Sequence, residues 1–331
     1  MTEQDRSLQE YSWTDLNHIQ RQLLDWFSGD GRDLPWRRTR DPYHVLVSEV
    51  MLQQTQVDRV LPKYYAFLEQ FPTLEVLADA STADVIRAWA GLGYNRRAVN
   101  MQRTVRVVRD EFGGKFPRDV ATLRSLPGIG PYTAGAIACF AFEQDVAFMD
   151  TNIRRVVQRL FVGPVADEVS ESQLQQVAEK VVPVNQGWSW NQAIMELGAL
   201  VCTANNPACW RCPVQQFCRD YEARKQNDEG VFDAQSVNSD PQTAQQVAER
   251  HQKYKRRVEQ PFEGSNRFYR GRVIDVLRQL SHDETMTLEY LGSQIKESFN
   301  SDDMPWLTKL VEGLARDGLI MVEDDVVRLP H

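Results

Sequence analysis

Four of the five cysteines fall inside seventeen residues, as Cys202-x6-Cys209-x2-Cys212-x5-Cys218, and this spacing restricts the fold more tightly than any other feature of the chain. Four thiolates that close in sequence can wrap one tetrahedral centre, so the segment must close on itself. Zinc accepts four thiolates and so does an iron–sulfur cube; the spacing leaves both open. Pro207, Trp210 and Pro213 suit a compact loop, and no open coordination position is evident, so the site reads as closed and structural. Such a cluster indicates a metal site in a reducing compartment before it indicates disulfides. The N-terminal MTEQDRSLQEYSW has acids and no apolar core, unlike a signal peptide. No apolar run reaches the roughly 18 residues of a membrane span, so a cytoplasmic protein without membrane contact is expected.

The remaining sequence is helical in pattern. Apolar residues at Leu16, Ile19, Leu23, Leu24 and Phe27 mark one helix over 12–30. From Asp41 to about Gln158 helices follow one another, broken at Phe71-Pro72, Gly91-Leu92-Gly93, Gly113-Gly114, Pro117 and Leu126-Pro127-Gly128, with no strand-like alternation. Two more helices are expected over 167–200. Residues 223–260, rich in Gln, Asp, Glu, Ser and Asn, read as a linker, in part helical over 243–257. Residues 261–331 read as a separate unit: helices over 267–280, 287–299 and 305–317, then a hairpin pairing 319–322 with 326–329, a winged-helix-like α+β pattern. The formal net charge of −8 argues against nucleic acid as a partner, but residues 261–331 carry −5 of it, leaving room for basic clusters elsewhere. That acidity favours a protein partner over DNA for the C-terminal unit. Lys253-Tyr254-Lys255-Arg256-Arg257 in the linker is the better phosphate-binding run.

Three constellations carry chemistry. Leu126-Pro127-Gly128-Ile129-Gly130-Pro131-Tyr132-Thr133 sits between two helices, and its glycines permit left-handed backbone and close approach. Amides of Gly128, Gly130 and Thr133 near the next helix start can hold a DNA phosphate without reading sequence. Asp150 precedes Thr151-Asn152-Ile153-Arg154-Arg155 and suits a helix N-cap, with Arg154, Arg155 and Arg159 adding charge for phosphate. Glu49 lies among Val47, Val50, Met51 and Leu52; a carboxyl packed there has a raised pKa, as a general acid near neutral pH needs.

Residues 34–218 resemble the helix–hairpin–helix DNA glycosylases, most closely adenine DNA glycosylases of the MutY type. The matching strings are Leu34-Pro35-Trp36-Arg37, Ser48 to Val57, Trp89 to Tyr94, Leu126 to Ala138, Asp150-Thr151-Asn152, Asn191-Gln192, Glu196-Leu197-Gly198-Ala199 and the four cysteines. The resemblance implies an all-α helix–hairpin–helix glycosylase fold and a small winged-helix-like C-terminal domain. Its modules are an iron–sulfur module from 1–33 and 140–222, a six-helix barrel over 34–139, a linker over 223–260 and the C-terminal domain over 261–331. It implies a [4Fe–4S] cluster on Cys202, Cys209, Cys212 and Cys218, and double-stranded DNA containing a mismatched adenine as partner. It further implies that Glu49 protonates adenine, Asp150 stabilises the cationic sugar, and Tyr132 and Asn152 orient them. Trp36, Arg37 and Gln192 match adenine-pocket positions; Gln54, Leu92 and Tyr94 match residues that probe the helix around the lesion. In the endonuclease III branch the position of Tyr132 is a Lys that forms a Schiff base; a Tyr cannot, so base removal without strand cleavage is expected. Thr151 and Asn95 stand where family members commonly have Gly and Tyr, and residues 261–331 do not resemble the usual C-terminal module. The rival readings are a thymine or uracil mismatch glycosylase acting opposite guanine, and a non-catalytic iron–sulfur DNA-binding regulator.

Overall fold

The computed structural model describes residues 12–164, 169–226, 262–282 and 284–331. The expected helix over 243–257 and the basic run at 253–257 lie outside these. The chain forms two compact units, one of Met1–Arg40 with Ala134–Arg256, the other of Asp41–Thr133 with Arg257–His331. These bounds differ from the sequence reading at residues 34–40, at residues 134–139, which fall in the first unit, and at residues 261–331. Residues 34–40 belong with the first helix because Arg37 and Arg40 are anchored there, on Glu196 and on Glu143. Residues 261–331 are not a third unit, for a reason that lies in their core.

In the first unit α1 (Trp13–Asp30) begins at Ser12, whose hydroxyl accepts the Asp15 amide at 3.1 Å. Its buried stripe, Ile19 and Leu23, packs on α11 (Gly187–Leu200). The helix α9 (Thr151–Val157) continues into a π turn over Gln158–Val162, α10 (Glu171–Lys180) opens with a Ser170–Gln173 capping box, and α12 (Arg219–Gln226) follows the last cysteine. α9 and α11 lie close because Gly198 has no side chain: a Cβ there would meet Asn152 Cβ at 2.8 Å.

The second unit contains α2 (Pro42–Leu52), α3 (Val57–Gln70), α4 (Leu74–Asp79), α5 (Thr82–Ala88), α6 (Arg96–Phe112) and α7 (Val120–Ser125). Asp41 caps α2, with Pro42 at its first position. α2 buries every residue from Val45 to Met51, which explains an apolar pattern without one preferred face. α8 (Pro131–Phe140) begins in this unit. The C-terminal part consists of α13 (Asn266–Leu277), β1 (Met286–Thr287), α14 (Leu288–Ile295), α15 (Met304–Arg316), β2 (Met321–Glu323) and β3 (Val326–Arg328). Its antiparallel sheet has the order β1-β3-β2, with Val327 opposite both Met286 and Val322. The three helices and the hairpin match the sequence expectation. β1, two residues long, carries too little alternation to be read from sequence.

The core of this C-terminal part is not its own. Val273, Ile274, Leu277, Leu291, Leu307, Val311 and Leu314 pack in one cluster with Ala83, Ile86 and Val99 of α5 and α6. Polar contacts close the seam. The Ala83 amide donates to Pro330 O at 2.7 Å, Arg87 to Leu280 O at 2.9 Å, and Arg278 to Ile86 O at 3.0 Å and to Asn95 Oδ1 at 2.7 Å. Asn95, which departs from the family pattern, is thus the point where α6 receives the C-terminal part.

Candidate active site

In the second unit Glu49 is 3% exposed, and its Oε2 accepts the Tyr132 hydroxyl at 2.7 Å. α2 supplies the acid and the first turn of α8 supplies the phenol. The turn before α8 is formed by Gly128 at φ 76°, where a Cβ would meet Asn100 Cβ at 2.6 Å; Pro127 O accepts the Thr104 hydroxyl at 2.6 Å. Gly130 needs no left-handed backbone, and a Cβ there would meet nothing within 4 Å, so only the first glycine is required by conformation. Thr133 is 2% exposed, its side chain turned inward by the helix.

Gln54 and Tyr94 are exposed, and Leu92 is buried. Gln54 and Tyr94 both hold left-handed backbone, at φ 56° and 47°, which costs a non-glycine residue about 1 kcal/mol or more. The residue that holds both turns escaped the sequence reading. Arg97 donates to the carbonyls of Val50 at 2.7 Å, Gln53 at 2.6 Å, Leu92 at 3.1 Å and Gly93 at 3.2 Å. Its guanidinium lies 5.5 Å from the Trp89 ring centre and 5.6 Å from that of Tyr94. Burial lowers its pKa to about 10. An Arg two residues inside a helix signals none of this in sequence.

In the first unit Asp150 caps α9. Its Oδ1 accepts the amides of Asn152 at 2.9 Å and Ile153 at 2.7 Å, and its Oδ2 accepts Asn152 Nδ2 at 2.9 Å. Asn152 Oδ1 in turn accepts Arg155 Nη2 at 2.8 Å, and Arg155 also binds Gly198 O and Cys202 O, each at 2.7 Å. Arg159 binds Thr203 O and Ala204 O, and Arg154 pairs with Glu171. All three arginines, which the sequence suggested as charge for phosphate, make bonds inside the unit.

Trp36 and Gln192 are buried, at 6% and 4% exposure. Arg37 donates to Gln192 Oε1 at 2.7 Å and to Glu196 Oε2 at 2.8 Å. Arg32 donates to Glu196 through its amide at 2.9 Å and its side chain at 2.7 Å. Burial alone raises the Glu196 pKa, but bonds from Arg32 and Arg37 outweigh it and bring the pKa to about 2. Glu196, present in a matching string without a role, joins the segment carrying Trp36 and Arg37 to α11.

The four clustered cysteines are half-buried. Burial pushes the Cys212 and Cys218 thiols up to about 12, and each of the two feels the charge of Cys202 and Cys209. Arg159 Nη1 donates to Cys202 Sγ at 3.4 Å. Among the described residues no three His, Cys, Asp or Glu side chains meet as a single metal ion requires. Four clustered thiols with a guanidinium donor at Cys202 have the donor chemistry of a thiolate-ligated centre. Among the described residues no helix is long and apolar enough to cross a membrane.

The chain is similar to known proteins. Residues 47–202 match the HhH-GPD superfamily base excision DNA repair protein family. An adenine DNA glycosylase of Mycolicibacterium smegmatis is 42% identical over 258 residues, covering 78% of this chain and 79% of its own. A human adenine DNA glycosylase is 46% identical over 209 residues; the chain spans 38% of its length and is itself covered to 60%. A solved structure of a thermostable thymine-DNA glycosylase superposes with a TM-score of 0.60 at 30% identity, over 63% of this chain and 98% of that one. With two thirds or more of a relative covered at such identity, the chain belongs to the helix–hairpin–helix base excision DNA repair superfamily, in its adenine DNA glycosylase family.

Proposed function

We propose that the protein is a monofunctional adenine DNA glycosylase of base excision repair, hydrolysing the bond between deoxyribose and an adenine mispaired with 8-oxoguanine or guanine. The observation that carries this reading is the buried Glu49 carboxyl held by the Tyr132 hydroxyl. Adenine is a poor leaving group until a ring nitrogen is protonated. In an extruded adenine, Glu49 gives its proton to N7, and as carboxylate it then accepts a proton from the attacking water. Asp150, oriented by three N–H donors, stabilises positive charge at the sugar carbon as the bond breaks. Tyr132 stands where an amine would otherwise attack that carbon; a phenol forms no Schiff base, so the strand stays intact. Gly128 and Gly130 offer amides to the phosphate backbone. Trp36, Arg37 and Gln192 shape the adenine pocket, and Gln54, Leu92 and Tyr94 probe the opposite base.

Cys202, Cys209, Cys212 and Cys218 would hold a [4Fe–4S] cluster, which supplies cross-linking of the loop after α11. Through Cys202 O and Asn152, Arg155 connects that loop to Asp150.

Likeness to a thymine-DNA glycosylase favours a second reading, removal of thymine opposite guanine. Single-turnover cleavage of A·8-oxoguanine, A·G, T·G and U·G duplexes decides between them. Excision of adenine is expected, reduced by at least about a hundredfold in Glu49→Gln with duplex binding preserved. Activity confined to T·G and U·G would reject the proposal, and excision indifferent to both Glu49→Gln and Asp150→Asn would point to a non-catalytic protein.

A further inference from the structure

The C-terminal part has no role in the chemistry above, yet one of its side chains lies on a residue proposed to probe the lesion. The Arg267 guanidinium stacks 4.4 Å from the centre of the Tyr94 ring, and its Nη2 donates to the Tyr94 hydroxyl. Tyr94 is still 43% exposed beneath it. On its other side Arg267 lies 5.6 Å from the ring of Phe262, itself 59% exposed. Among the described residues no carboxylate pairs with Arg267. It occupies the first turn of α13, where the helix dipole disfavours a cation, so local helix energetics do not explain its presence.

The seam behind it keeps this placement from being incidental. The shared core at Ala83, Ile86 and Val99, the bonds of Arg278 to Asn95 and Ile86, and the ion pairs of Asp317 with Arg96 and Arg270 hold α13 against α5 and α6. Asn95 and Arg96 directly follow Tyr94 in the chain. The C-terminal part is therefore packed against the turn that presents Tyr94.

We propose that Arg267 makes the C-terminal part a DNA-contacting element of the lesion-probing turn: it holds the Tyr94 ring in place and offers its unpaired charge to a phosphate beside the mismatch. A flat guanidinium can stack on a ring with one face and keep donors free at its edge, which an ammonium cannot. The sequence expectation of a protein partner rested on net charge, and the acidity of the region does not describe the edge it turns toward Tyr94. The proposal rests on Tyr94 meeting DNA, as in the reading above.

The test uses the full chain and measures affinity for A·8-oxoguanine and fully paired duplexes over a salt series, for wild type, Arg267→Ala, Arg267→Lys, Tyr94→Ala and the Arg267→Ala/Tyr94→Ala double variant. Arg267→Ala is expected to weaken mismatch binding about tenfold and to lower the salt slope by about one unit, at unchanged thermal stability. Arg267→Lys keeps the slope and loses part of the mismatch preference. In the Tyr94→Ala background the Arg267→Ala loss shrinks. Wild-type affinity, preference and slope in Arg267→Ala would overturn the proposal, as would weaker binding that tracks a lower unfolding temperature at unchanged slope. If wild type prefers mismatched duplex but excises nothing, the functional reading fails and this one stands. If adenine is excised while Arg267→Ala binds like wild type, the functional reading stands and this one fails.

Discussion

Two carboxylates with opposite needs were legible from their neighbours in sequence. Glu49 sits among aliphatics that must be buried, and Asp150 precedes a helix that needs a cap; in each case the local requirement coincides with the role proposed. Glu196 and Arg97 were illegible for the same physical reason. Glu196 bonds to Arg32, 164 residues away, and Arg97 reaches the Gln53 carbonyl, 44 residues away, and no residue pattern encodes such pairings. Glu196 carries a definite pH signature. Its folded pKa is depressed to about 2 from 4.5, so its contribution is fully present above pH 4.5 and is lost as pH falls from 4.5 toward 2. The shift corresponds to about 3 kcal/mol. Urea unfolding at pH 6 and pH 3 is expected to show this loss in wild type. Glu196→Gln, which leaves Arg37 buried without its counter-charge, should cost about 3–5 kcal/mol at pH 6 and remove this part of the acid dependence.

At the scale of elements, helices were readable because buried faces recur with the helical period, and in the structure their starts are capped by Ser12, Asp41, Ser81, Asp119 and Ser170. The turns are another matter. Gln54 and Tyr94 lie in two turns far apart in sequence, and one guanidinium holds both in left-handed backbone. Replacing Arg97 with Met keeps the bulk and leaves several carbonyls without a donor. A loss of about 2–4 kcal/mol is expected in thermal or urea unfolding. If these turns probe the lesion and the hairpin holds phosphate as proposed, mismatch preference should fall further than affinity for paired duplex. An equal loss on both duplexes would mean that Arg97 only stabilises the fold.

At the scale of the molecule, the shared core means that the C-terminal part cannot be removed without consequence. A chain ending at Asn227 exposes Ile86 and Val99, both nearly fully buried in the intact protein. Re-exposing two such side chains costs about 4 kcal/mol, and the unfolding temperature is expected to fall by roughly 10 °C in calorimetry. An unchanged transition would show that the seam contributes no stability. The cysteine cluster also operates at this scale, because it ties the loop after α11 to α9 through Arg155 and Arg159. Anaerobically purified protein should be brown and contain about four irons and four sulfides per chain. Cys212→Ser should lose the colour and the fold of that loop, as seen by proteolysis. Colourless protein with stoichiometric zinc would overturn the cluster assignment.

Sequence alone determined what depends on neighbours along the chain: the helices, the caps, the thiol spacing, the Gly128 turn and the two carboxylates, because each satisfies a requirement within a few residues of itself. It also placed the chain among its relatives, since those strings keep their order. Tertiary structure decided what depends on atoms brought together from afar: the bonds gathered by Arg97 and Glu196, the internal use of Arg154, Arg155 and Arg159, the inward turn of Thr133, and the merging of the last seventy or so residues into the helical core. A hydrogen bond to a distant carbonyl, or an apolar face shared between distant helices, leaves no mark on the spacing of residues in either partner. Only the folded chain brings the two together.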